Sequence, residues 1–73
     1  MQAKEGGDPL LGKRIQQKRT ELGLSREELA AMIGTSEAMI RHFESGVKVP
    51  SLAMMMDLAR ALQTGLDELC RDE

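Results

Sequence analysis

Gly34 stands between two short stretches of helical apolar spacing in the segment REELAAMIGTSEAMIRHFE, Arg26 to Glu44. Leu29, Ala30 and Ile33 recur at that spacing before the glycine, and Ile40 and Phe43 after it. A join of about three residues demands a sharp reversal of the chain. Glycine tolerates the positive φ of such a reversal without a Cβ penalty. Ala30 is small, as it must be if the second helix crosses close over the first. Leu29, Ile33, Ile40 and Phe43 are therefore expected to meet in the crook.

The flanking sequence predicts further short helices. Residues 1–9 lack apolar periodicity and contain a Gly-Gly pair, so they are expected to form a flexible arm ending at Pro9, a helix-start residue. Leu11, Ile15, Lys18/Arg19 and Leu22 follow helical spacing, which puts helix 1 over about Leu10 to Leu22, stopped by Gly23. Ser25 caps helix 2 and Glu28 completes a capping box. Ser36 caps helix 3, which stops at Gly46. Ser51 caps helix 4, where Leu52, Met55, Met56, Leu58, Ala59 and Leu62 make a broad apolar face. LDEL suggests a short fifth helix burying Leu66 and Leu69. No strand signal, internal repeat or low-complexity tract is present. The fold class is all-α, with the domain over residues 10–70, an acidic tail over 71–73, and a core of Ile15, Leu22, Leu29, Ile33, Ile40, Phe43, Leu52, Leu58 and Leu62.

Composition narrows the function classes. The chain has 73 residues, enough for one small domain. A single cysteine, Cys70, cannot form an internal disulfide, so a reducing cytosol is the expected compartment. No apolar run approaches the ~20 residues needed to span a bilayer. Histidine and cysteine occur once each, too few for a zinc site of the usual kind. No nucleophile–base pair, paired carboxylates or phosphate-binding glycine loop points to an enzyme. No metal, cofactor, membrane or small-molecule substrate is expected. The net charge of −2 argues mildly against nucleic acid, yet residues 9–66 carry eight basic and six acidic side chains. The acid gathers at the C-terminus, where Asp67, Glu68, Asp72 and Glu73 stand against Arg71.

The succession of motifs resembles the lambda-repressor/Cro-like helix-turn-helix DNA-binding domains. The resemblance covers about Leu11 to Leu69. It rests on LGKRI and Arg19, GLSREELA, IGTSEAMI, FESG, Pro50-Ser51-Leu52, and LARAL followed by LDEL. It implies five helices, with the helix-turn-helix at helices 2 and 3. It also implies sequence-specific binding to double-stranded DNA to regulate transcription, usually by a homodimer on a two-fold operator, in a bacterial or phage setting and the cytoplasm. Two departures fall at the join to helix 5: Gln63 stands where the family commonly has glycine, and Gly65 where it commonly has a serine cap.

The resemblance also sorts residues by role. With Ile40 and Phe43 inward, Ala38, Arg41, His42 and Ser45 face outward, and Glu37 projects from the first turn of helix 3. In the family this face enters the major groove. Arg41 then suits guanine, Glu37 a cytosine amino group and Ala38 a thymine methyl, with His42 beside them. Taken alone, Glu37 and Arg41 are equally an i,i+4 surface pair. Phosphate contacts are expected from Ser25 and Arg26, Thr35 and Ser36, Ser45, Lys48 and Ser51. The serines also read as simple caps. Arg19 and Glu44 match a recurrent structural ion pair. Lys13, Arg14 and Lys18 are expected to form a solvated basic face, with Lys4 on the arm as a further candidate. Met54, Leu66 and Leu69 are candidates for a dimer interface or for the end of the core. The function remains open between DNA reading and an interaction module of the same fold that bridges transcription proteins. The chain suits a whole small regulator, such as a restriction-modification controller or antitoxin-like repressor, or the N-terminal domain of a longer one.

Overall fold

The computed structural model describes residues 9–69. Most of the expected arm, with Lys4, and the acidic end, with Cys70, lie outside the described residues. Five helices follow in order: α1 Pro9–Glu21, α2 Arg26–Ile33, α3 Glu37–Ser45, α4 Leu52–Ala61 and α5 Leu66–Leu69. None is long and apolar enough to cross a membrane.

The punctuation follows the local chemistry. Ser25 accepts the Glu28 N–H while Glu28 accepts the Ser25 N–H, so the capping box at α2 is complete. Ser36 and Ser51 each accept one amide of the first turn of α3 and α4. Gly34 lies in the left-handed region at φ 77°, and the Thr35 amide reaches back to the Ala30 carbonyl. This closes the sharp turn and lets α3 cross α2 over the small Ala30, itself 3% exposed.

The core comprises Leu11, Ile15, Leu29, Ala30, Ile40, Phe43, Met55, Leu58, Ala59, Leu62 and Leu69. α1 packs on α3 and α5, while α2 packs on α3 and α4. Several expectations are corrected. Leu22 is 40% exposed because it follows the last residue of α1, where the chain turns away at Gly23. Leu52 is 69% exposed, since it opens α4 beyond the part of that helix which other elements cover. Met56 lies about 100° round the helix from the buried Met55 and is exposed, so the apolar stripe is narrower than expected. Ile33 packs only partly against the core, and Leu66 is exposed whereas Leu69 is fully buried.

Two backbone features were not legible as such. A Cβ on Gly12 would lie 2.8 Å from the carbonyl carbon of Glu44, and closer still to the carbonyl oxygens of Phe43 and Glu44. The α1 backbone therefore lies directly on the end of α3. After α4, Gln63 adopts φ 57°, a conformation that suits glycine. The amide of Thr64 still returns to the Ala59 carbonyl, and the Thr64 hydroxyl donates to Glu68 across α5. The fold thus keeps the geometry of a glycine stop without the glycine.

Gly12→Ala is expected to lower stability by about 2 kcal/mol in a urea melt. An overpacking penalty of about 3 kcal/mol against rigid backbone outweighs the ~1 kcal/mol that alanine gains over glycine in a helix. A variant as stable as the parent would show that α1 stands further from α3. Gln63→Gly is expected to do the reverse. It relieves a left-handed penalty of ~1–2 kcal/mol, partly offset by the entropy of glycine in the unfolded chain. A rise of roughly 4 °C in the melting midpoint should follow, and an unchanged or lower midpoint would contradict it.

Candidate nucleic-acid interface

The buried charges of the described region meet at one point. Glu44 sits on the inner side of α3 with its side chain 4% exposed. A buried carboxylate needs donors, and two arginines provide them. Arg19, in the last turn of α1, donates from Nε to Glu44 Oε2 at 2.6 Å and from Nη2 to Oε1 at 3.2 Å. Its Nη1 donates to the Leu24 carbonyl in the α1–α2 connection. Arg26, the first residue of α2, donates from Nε to Glu44 Oε1 at 3.0 Å. One carboxylate on α3 is thereby held from α1 and α2 at once.

This arrangement fixes the rotation of α3. Ile40, Phe43 and Glu44 face inward, while Arg41 and Ser45 are exposed. Arg41 donates to Glu37 at 2.9 Å, with both side chains substantially exposed. Ala38 is half-buried beside them. His42 departs from the outward placement expected of it. Its side chain is half-buried, and its Nδ1 is shielded with no partner among the described residues. The α3–α4 loop folds back at this point, for the amides of Val47 and Lys48 both bond to the His42 carbonyl. The Ser45 hydroxyl donates to the same carbonyl.

A shallow cleft between the starts of α2 and α3 is lined by Arg19, Ser25, Arg26, Glu27 and Glu37. It gathers residues expected separately: a cap, a phosphate candidate and a base-reading candidate. Arg26 was expected as a phosphate contact at the start of helix 2. Its side chain is half-buried and tied to Glu44, a link that the sequence separation of the pair hides. Thr35 is half-buried and Ser36 exposed in the turn, and Lys48 and Ser51 are exposed on the α3–α4 loop. The basic cluster of helix 1 lies elsewhere. Arg14, Gln17 and Lys18 share a depression with Glu68 of α5. Of the dimer candidates, Leu69 has no exposed surface and belongs to the core, and Met54 packs partly against it; Leu66 stays exposed at 37%.

A helix-turn-helix family model matches residues 15–69, which span all but the first turns of α1. The chain belongs to the helix-turn-helix family. An uncharacterised transcriptional regulator in the ATPase CF(0) region of Rhodospirillum rubrum is 37% identical over 65 residues, or 89% of this chain. The chain spans only 60% of that relative's length. Among solved structures, the restriction-modification controller C.AhdI of Aeromonas hydrophila superposes with a TM-score of 0.80 at 34% identity, covering 84% of this chain and 92% of its own. The P22 c2 repressor in complex with a synthetic operator gives 0.83 at 29% identity, covering 90% and 100%. The fold is thus that of the lambda-repressor-like domains.

Arg19→Leu should destabilise the domain by ~3–5 kcal/mol in denaturant melts, because it strips a buried carboxylate of its closest partner. The double variant Arg19→Met/Glu44→Leu should recover most of that loss, since an apolar pair of similar size needs no compensation. A double variant no more stable than the single one would mean that the ionic hydrogen bonds themselves hold α1 to α3.

Proposed function

We propose that the chain binds double-stranded DNA sequence-specifically and thereby regulates transcription, with α3 in the major groove. The observation that carries this reading is the fixed rotation of α3. Glu44 and its arginines hold one face inward, and Glu37, Ala38 and Arg41 are presented from the other side. Arg41 and Glu37 pair with each other in the free protein. On DNA, Arg41 exchanges Glu37 for the acceptor edge of guanine, and Glu37 accepts from a cytosine amino group. A carboxylate on this face repels phosphate and mismatched acceptors, which favours selectivity over indiscriminate binding.

Phosphates are taken by Ser25, Arg26, Thr35, Ser36, Ser45, Lys48 and Ser51, at helix starts and the α3–α4 loop. His42 contributes through whichever edge of its half-buried ring reaches the groove. Support comes from the relatives: one is a transcriptional regulator, one a restriction-modification controller, and one a repressor in complex with an operator. The net charge of −2 is no obstacle, because residues 9–66 carry eight basic and six acidic side chains. Two copies bind a two-fold operator with their third helices ~34–36 Å apart, meeting through apolar surface that includes Leu66 and the exposed part of Met54. The setting is the cytoplasm of a bacterium, or of a host for a phage-encoded protein.

Selection of bound sites from a random duplex pool tests the reading directly and should return a two-fold motif. On the best site Arg41→Ala should weaken binding by ~1–3 kcal/mol and relax preference at one base pair. Equal weakening on all sequences would make Arg41 a phosphate contact. No salt-dependent binding to any duplex would leave the protein-bridging reading in its place.

A further inference from the structure

Arg26 occupies two settings at once. Its Nε is spent on Glu44 at 3.0 Å, inside the fold, while its side chain remains 36% exposed along the cleft at the start of α2. No hydrogen bond within the described residues engages its Nη groups. Glu44 cannot follow Arg26 outward, because Arg19 grips both of its oxygens and Arg19 is itself tied to the Leu24 carbonyl. The guanidinium is planar, so a fixed acceptor on Nε orients the whole group. The edge carrying the Nη donors is left to meet an anion. A single carboxylate between two guanidiniums also leaves this set with a net positive charge.

We propose that Glu44 is a positioning residue for DNA binding. By holding Nε, it aims the Nη edge of Arg26 at a backbone phosphate beside the start of α2. The inference rests on the proposed DNA-binding function and adds to it a coupling between the buried ion pair and the DNA-facing surface. The alternative partners of Arg26 explain why such a clamp matters. Glu27 and Glu37 line the same cleft. An arginine released from Glu44 turns to these carboxylates or samples solvent, and must be reordered each time DNA binds. Glu44 removes that reordering and leaves Glu37 to Arg41.

The test is a double-mutant cycle on a non-specific duplex, with affinity read over a series of salt concentrations and folding checked by circular dichroism. Arg26→Ala is made in the parent chain and in the Arg19→Met/Glu44→Leu background, where the clamp is gone and the site is apolar. In the parent, the substitution should weaken binding about tenfold and flatten the salt slope by about one unit. In the unclamped background it should weaken binding by no more than about twofold. An equal loss in both backgrounds overturns the proposal, as does tighter binding through Arg26 once Glu44 is removed. Arg26→Lys provides a second measurement in an otherwise intact core. Lysine keeps the charge but its single ammonium cannot serve Glu44 and a phosphate with the same planar fork. It should therefore stay several-fold weaker than the parent, and parental affinity would overturn the proposal. If the parent chain shows no salt-dependent binding to duplex DNA, the parent reading fails and the inference falls with it. If the parent binds and the cycle shows no coupling, only the inference fails.

Discussion

The carboxylate of Glu44 is the constraint on which the arrangement of the first three helices depends. A charge taken out of water needs partners with good geometry, and the desolvation of the group largely cancels the attraction it gains. Its value here lies in where it forces its neighbours to be. Arg19 comes from α1 and Arg26 from α2, and both must converge on one side chain of α3. Arg19 also secures the Leu24 carbonyl, so the connection between α1 and α2 is drawn into the same set. Apolar packing of Ile40 and Phe43 alone tolerates small rotations of a helix. A carboxylate with directional bonds to two guanidiniums does not.

That convergence is possible because α1 and α3 touch without side chains between them. Gly12 lies against the carbonyls of Phe43 and Glu44. A glycine inside a helix weakens it by about 1 kcal/mol relative to alanine, and the close approach of the two backbones offsets that loss. With the helices so near, the Arg19 guanidinium bonds both oxygens of Glu44 directly. The glycine and the ion pair are therefore two parts of one contact, one steric and one electrostatic.

The first three helices and the last two differ in chemistry. At the α2–α3 end, exposed polar groups sit on a framework held by buried charge. On α4 and α5, Leu52, Met56 and Leu66 leave apolar surface in contact with solvent. There the glycine expected at the helix stop is replaced by Gln63 in a left-handed conformation, held by the bonds of Thr64 on either side. Backbone strain at this join costs some stability.

The order and type of the elements were legible from short-range chemistry. Ser25, Ser36 and Ser51 as caps, Gly34 in the turn, and the apolar spacing of α2 and α3 act within a few residues, so their consequences are local. The ion pair of Arg19 and Glu44 was expected only through resemblance, because nothing local links residues so distant in the chain. Tertiary structure alone decided the rest. It left Leu22 and Leu52 exposed, since periodicity says which side a residue faces but not whether another element covers that side. It left Leu66 exposed and half-covered His42, because the neighbours that shield a side chain arrive from other segments. It also drew Arg26 into the charge network. A sequence specifies the reach and charge of an arginine, but which carboxylate it finds depends on how closely the helices pack.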